Sequence, residues 1–301
     1  MARRDGQRGR RKRPPETAAA ALRRHLAEQW GVIRRSERRA AAGSVEALHD
    51  IRVALRRMRS LTATFRKLDP AFLGRLDKRA AKVCDRMGDA RDLDVWIELF
   101  RGMVRAGGAA GLEPREQRAV LAALRRQRTR LAAEALGCGA FRHIKRMMRD
   151  RPRASAARRG TGPVAALAAR RMLVVRDLIA ARHARVGSFS QGPAHDLRRA
   201  GRRMRYLAEF FAPLLGRECV RAGRWITAAQ AALGKVHDCD SALELSRELP
   251  SGTARAAVRR HLRQRRAAQL RKFKAAWRRY ASRRLQQAWV ARLEAAAALD
   301  G

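Results

Sequence analysis

Hydrophobic positions recur along this chain at helical spacing from just after Pro15 almost to its C-terminus. Ala, Leu and Arg dominate, and β-branched runs are absent. The pattern predicts an all-α protein, divided by sparse punctuation. Gly43-Ser44 separates a first helix from a second, with Ser44 as N-cap. Asp69-Pro70 ends the second helix. Gly88-Asp89 is expected to end the third, with Asp89 capping the next, and Gly107, Gly108 and Gly111 to break the fourth. A long helix is expected over about 114–136 and a short one over 141–149. Residues 151–163, rich in Pro, Gly, Ser and Arg, read as a linker. A helix over about 164–185 follows, then breaks at 187–193, near Gly216 and at Gly234. A turn at Pro250-Ser251-Gly252 precedes a long helical C-terminal region.

The second part repeats the first. His49-Asp50-Ile51-Arg52-Val53-Ala54-Leu55-Arg56-Arg57-Met58-Arg59 matches His195-Asp196-Leu197-Arg198-Arg199-Ala200-Gly201-Arg202-Arg203-Met204-Arg205. Eight of the eleven positions are identical, each 146 residues from its counterpart. The register holds downstream: Phe65 pairs with Phe211, Arg75 with Arg221, Lys78 with Arg224, Gly88 with Gly234, Asp92 with Asp238 and Asp94 with Asp240. An Arg-rich chain could supply the arginines by chance, but not His, Asp, Met and the later acid pair in register. The chain is therefore expected to hold two duplicated, pseudo-symmetric four-helix bundles, 16–150 and 164–301, after a basic arm, 1–15.

On a helical wheel with His49 at the origin, Arg52, Arg56 and Arg59 fall within about 80° of it. Ile51, Leu55, Met58, Leu61 and Phe65 lie on the opposite side. His195, Arg198, Arg202 and Arg205 repeat the arrangement against Leu197, Met204, Leu207 and Phe211. Arg57 and Arg203 flank the two lines. The next helix adds Arg75, Lys78, Lys82 and Arg86 on one face; its counterpart keeps Arg221 and Arg224 but has Ala228 and Ala232 in the last two places. Like charges at this spacing destabilise a helix by a few tenths of a kcal/mol per pair. A solvated polar face is the ordinary reading of a charge run. Here the face is nearly all of one sign, contains His and recurs in register, so a cationic binding ridge displayed outward is expected.

Charge narrows the partner. Seventy Lys plus Arg against 27 Asp plus Glu leave a net +43, and only eight of the basic residues are Lys. Such a chain attracts polyanions: nucleic acid, anionic lipid surfaces or inorganic phosphate chains. Arg grips phosphate oxygens in pairs. Cys84, Cys138, Cys219 and Cys239 show no metal-binding spacing and read as small core residues in a reducing cytosol. No stretch approaches the ~20 apolar residues that span a bilayer, so no membrane insertion is expected. No nucleophile–base pairing or P-loop appears, and no catalytic residue or cofactor is assigned.

The matched runs H-D-[IL]-R-x-A-x-R-R-M-R, with G-D-A-R-D-L-D-V and G-K-V-H-D-C-D-S downstream, resemble the CHAD domain, the conserved histidine α-helical domain. The resemblance extends from about Thr17 to the C-terminal helices. It implies two pseudo-symmetric four-helix bundles, non-catalytic binding of long-chain inorganic polyphosphate, and a cytoplasmic location associated with polyphosphate granules. It assigns His49, Arg52, Arg56, Arg59, His195, Arg198, Arg202 and Arg205 to the binding surface. Two departures stand out: the thinner second basic row, and Gly201 where the first motif has Leu55.

The histidines admit two roles, direct phosphate contact or a bond to Asp that orients the helix. Asp92, Asp94, Asp238 and Asp240, expected in a first helical turn, read as caps or as structural partners of the arginines rather than as a metal site. Nucleic-acid binding is the competing function. Single-strand readers interleave aromatics with cations, and these stripes have none, the nearest being Tyr206, Phe65 and Phe211. A hydrolase of phosphate chains is disfavoured by the lack of a carboxylate cluster.

Overall fold

In a computed structural model the chain is described over residues 16–105, 112–150, 162–187, 189, 191–249 and 252–300. The basic arm, most of the expected linker, Gly107, Gly108, Gly111 and Pro250-Ser251 lie outside these residues. Ten α-helices follow in order: α1 Ala18–Ala41, α2 Val45–Thr64, α3 Pro70–Arg105, α4 Pro114–Gly137, α5 Gly139–Arg149, α6 Val164–Ala184, α7 Gln191–Leu215, α8 Arg217–Leu245, α9 Gly252–Tyr280 and α10 Arg283–Ala297. The described residues form no strand beyond an isolated bridge between Thr17 and Pro163. Among the described residues each half contributes five helices, enough for the expected four-helix bundle.

Capping explains several boundaries. The Ser44 side chain accepts from Ala47 N at 3.2 Å, and Asp69 accepts from Phe72 N at 2.9 Å. Gly216 separates α7 from α8 at φ 104°, a conformation costly for any residue with a Cβ. Two expected breaks are absent. Gly88 and Gly234 lie inside α3 and α8, which run through them without interruption. A glycine in a helix interior costs only about 1 kcal/mol, and flanking Leu, Met and Ala burial outweighs it. Asp89 is accordingly not a cap.

The main apolar core is shared by the two halves, and a smaller cluster around Trp96, Phe100, Val258 and Leu262 also draws on both. The main core runs from Ala18 through Leu55, Met58 and Phe65 to Met204, Phe211, Trp289 and Leu293. Across the junction, elements meet their own counterparts: α1 packs on α6, α2 on α7 and α3 on α8. Ala18 N donates to the Gly162 carbonyl and Val164 N to the Glu16 carbonyl, both at 3.1 Å. Each of these bonds is the other's image under the 146-residue shift. The Phe65 ring meets its counterpart Phe211 edge-on at 6.0 Å between centroids. Self-matching contacts of this kind are what a two-fold relation produces.

Buried clamps fix the entry to both motif helices. Arg128 of α4 pairs with Asp94 at 2.8 Å and donates to the Gly43 carbonyl at 3.1 Å, just before α2. Arg266 of α9 pairs with Asp240 at 2.6 Å and donates to the Phe189 carbonyl at 3.0 Å, just before α7. Phe189 lies 146 residues beyond Gly43, and both adopt positive φ. Burial raises the Asp94 pKa above its ordinary value despite the hydrogen bond from Arg128. Such a pair holds geometry more than it adds stability. Arg128→Ala should therefore destabilise the protein by about 3–5 kcal/mol by stranding Asp94, whereas Arg128→Met with Asp94→Leu should recover most of that loss. Urea denaturation followed by circular dichroism measures both.

Candidate functional site

The motif helices direct their arginines toward each other across the junction. Arg52 and Arg56 project from α2, Arg198 and Arg202 from α7, and all four are partly buried. After burial, the Arg56 charge is the largest influence lowering the pKa of Arg52, Arg198 and Arg202 alike. The result is a single cationic cluster, not two separate outward ridges. The correction arises because wheel geometry shows which face is polar but not what that face meets. Burial and neighbouring arginines bring Arg52 to about 10 and Arg202 to about 9. Both remain charged at neutral pH.

Matched glycines form the floor. A Cβ added at Gly88 would lie 4.0 Å from Arg52 Nη2, and one at Gly234 would lie 4.0 Å from Arg198 Nε. Each arginine thus lies along the following helix over a position with no side chain. The Nε atoms of Arg52 and Arg198 are buried without a hydrogen-bond partner. Among the described residues, no carboxylate forms an ion pair with Arg52, Arg56, Arg198 or Arg202. A buried donor left unpaired costs roughly 1–3 kcal/mol, more when charged, so the arrangement favours an anion that completes it.

Asp92 and Asp238 face this cluster without closing ion pairs to it. Burial lifts both carboxyl pKa values, while Arg52 and Arg198 pull them down. The imidazoles lie beside it. The His195 ring meets His237 edge-on at 5.6 Å, and burial followed by Arg198 lowers His237 to about 4. Partial desolvation and then Arg91 lower the exposed His49. Burial and then Arg198 lower His195. Arg91 and His237 occupy matched positions and belong to the cluster's surroundings; the 146-residue register was the one sequence signal that could have marked them.

Other expected ligands are engaged elsewhere. Arg57 pairs with Glu209 across the junction at 2.7 Å, and Arg59 with Asp77 at 3.0 Å. Arg205 donates to Gln230 at 3.0 Å and lies over the buried Tyr206 ring at 4.8 Å. Arg203 is exposed. Arg75, Lys78, Lys82 and Arg86 line the outer face of α3, and Arg221 and Arg224 that of α8. Asp94 and Asp240 sit within α3 and α8, not in first turns, because neither glycine ends its helix. They hold Arg128 and Arg266 rather than the motif arginines. Sequence reasoning gave neither clamp arginine a role, since nothing local distinguishes them from other arginines. Among the described residues, no cluster of three or more His, Cys, Asp or Glu could hold a metal, and no helix is long and apolar enough to cross a membrane. All four cysteines are buried and free.

A family model described as "CHAD domain" matches residues 20–247. The crystal structure of the CHAD domain from the plant Ricinus communis is similar at 25% identity and a TM-score of 0.65, covering 93% of each chain. PptA from Streptomyces chartreusis shares the fold at 18% identity and a TM-score of 0.63, covering 87% of this chain and all (100%) of that one. A search of curated proteins found no match.

Arginine crowding should cost stability. Arg202→Met is expected to raise unfolding free energy by roughly 1 kcal/mol or more. Differential scanning fluorimetry tests this as a higher melting temperature of the variant. The histidines predict a pH dependence of known sign. Below about 6.5 the unfolded chain protonates its imidazoles while folded His237, held to about 4, does not. Stability should fall between pH 7 and 5.5, less steeply in His237→Gln, as read by urea midpoints.

Proposed function

The chain belongs to the CHAD family, and on that premise we propose that it binds inorganic polyphosphate at the arginine junction without chemical reaction. The observation that carries the reading is the convergence of the partly buried guanidinium groups of Arg52, Arg56, Arg198 and Arg202, with the Nε atoms of Arg52 and Arg198 left without a hydrogen-bond partner. Phosphoryl oxygens supply paired acceptors to the guanidinium fork and negative charge beyond that of Asp92 and Asp238. Arg75, Lys78, Lys82 and Arg86 extend the basic surface beyond the junction as a track for further phosphates. His49 and His195 become stronger donors if the arriving anion raises their pKa, so affinity increases as pH falls.

Symmetry favours polyphosphate over nucleic acid. A phosphate chain reads the same in both directions, as do two matched pairs of arginines related by a two-fold. A single nucleic-acid strand has polarity, and single-strand readers need aromatic faces beside the cations; a duplex has its own two-fold, so competition against DNA decides that case. Tyr206, the aromatic nearest the cluster in sequence, is buried beneath Arg205. The reading places the protein in the cytoplasm with polyphosphate granules.

Changing Arg52, Arg56, Arg198 and Arg202 together to Ala should reduce polyphosphate affinity by more than about 100-fold with helix content intact, as measured by titration calorimetry and circular dichroism. Changing Arg75, Lys78, Lys82 and Arg86 to Ala should instead flatten the salt dependence with a smaller loss. In competition at near-physiological salt, long-chain polyphosphate should displace DNA or RNA of equal charge. Preference for nucleic acid would reject the reading, and phosphate release with a divalent cation would reject its non-catalytic part.

A further inference from the structure

The second half carries a cleft lined by aromatic rings and cations. It lies between the end of α6 and α9 and has a volume of about 510 Å³, within the ~300–1,000 Å³ range of small-ligand sites. Its wall is aromatic. His183 stacks on Trp277 with centroids 4.0 Å apart and planes 13° from parallel. Phe273 continues the stack at 6.0 Å and meets Phe189 edge-on at 5.3 Å. Its rim is cationic: Arg271, Lys274 and Arg278 are exposed on α9, and no acid lines the cleft.

The corresponding helix of the first half differs at these positions. The two clamps align Arg128 of α4 with Arg266 of α9, so residues of α9 correspond to residues of α4 138 positions earlier. On that register Ala135, Leu136 and Gly139 stand where α9 has Phe273, Lys274 and Trp277. Lys274 Nζ lies 5.8 Å from the Phe189 ring, and Phe189 contributes a ring where Gly43 contributes none.

We infer that this cleft binds a nucleoside diphosphate or triphosphate, its base continuing the His183–Trp277 stack and its phosphates meeting Lys274, Arg271 and Arg278. Base–aromatic stacking tolerates any base, since every base has a π-face. Burial keeps the His183 pKa below its ordinary value, so its ring is a neutral stacking surface at neutral pH. The short aromatic wall favours one nucleotide over a strand: a single pair of stacked rings, His183 and Trp277, offers a platform for one base, and the three cations suit one short phosphate tail. The inference does not depend on polyphosphate binding, because none of the cleft residues belongs to the arginine junction.

The full chain, first saturated with long-chain polyphosphate so that the junction is filled, would be titrated with fluorescent methylanthraniloyl-ADP. The expected result is saturable binding, displaced by ADP at least about tenfold better than by pyrophosphate, which lacks a base to stack. Trp277→Leu should weaken probe binding by at least about tenfold while polyphosphate affinity is kept. Exposed Lys274→Glu should weaken it comparably without changing the melting temperature, which guards against misreading a folding defect. Absence of saturable probe binding, equal displacement by pyrophosphate, or unchanged affinity in both variants would overturn the inference. Stronger displacement by an adenine RNA oligomer than by ADP, per nucleotide, would overturn it in favour of a single-strand site.

Discussion

Guanidinium groups keep their charge even where burial and mutual repulsion lower their pKa, and here four of them meet beside Asp92 and Asp238 without a direct ion pair among the described residues. Arg52 at about 10 and Arg202 at about 9 are still cations in neutral solution. Something must hold the helices that carry them against this repulsion. The shared apolar core does so from behind, through Met58, Met204 and the Phe65–Phe211 contact. The Asp94–Arg128 and Asp240–Arg266 clamps do so from the ends, by tying the chain just before each motif helix. Stability is thus supplied at some distance from the cluster, and the cluster itself is left incomplete.

The two-fold relation has two consequences. Matched residues build the junction: Arg52 with Arg198, Arg56 with Arg202, Gly88 with Gly234, and Asp92 with Asp238. Unmatched residues distinguish the halves. Lys274 forms no ion pair with a described acid, and the His183, Phe189, Phe273 and Trp277 rings gather beside it, away from the arginine junction.

Much of the helical layout was legible in the sequence because its signals are local. Ser44, Asp69-Pro70, Pro114 and Gly216 mark ends by capping or by backbone geometry, and the structure has ends there. Gly88 and Gly234 misled because a glycine that ends a helix and one that lies within it beneath a crossing arginine look alike in one dimension. That error displaced Asp92, Asp94, Asp238 and Asp240 from helix interiors to imagined first turns. The identity of the motif arginines was readable from the repeat, but their convergence was not, since periodicity within one helix is silent about its neighbour. The same limit hid the engagement of Arg57 by Glu209, 152 residues away in sequence.

The central claim is that a phosphate chain supplies the counter-charge missing between the two motif helices. A crystal structure with a short linear polyphosphate bound tests it most directly. The account predicts phosphoryl oxygens bridging α2 and α7, within hydrogen-bond distance of the Nε atoms of Arg52 and Arg198, with Arg56 and Arg202 on the same chain. Phosphate seated only on the outer row from Arg75 to Arg86, with the junction arginines still unpaired, would contradict it.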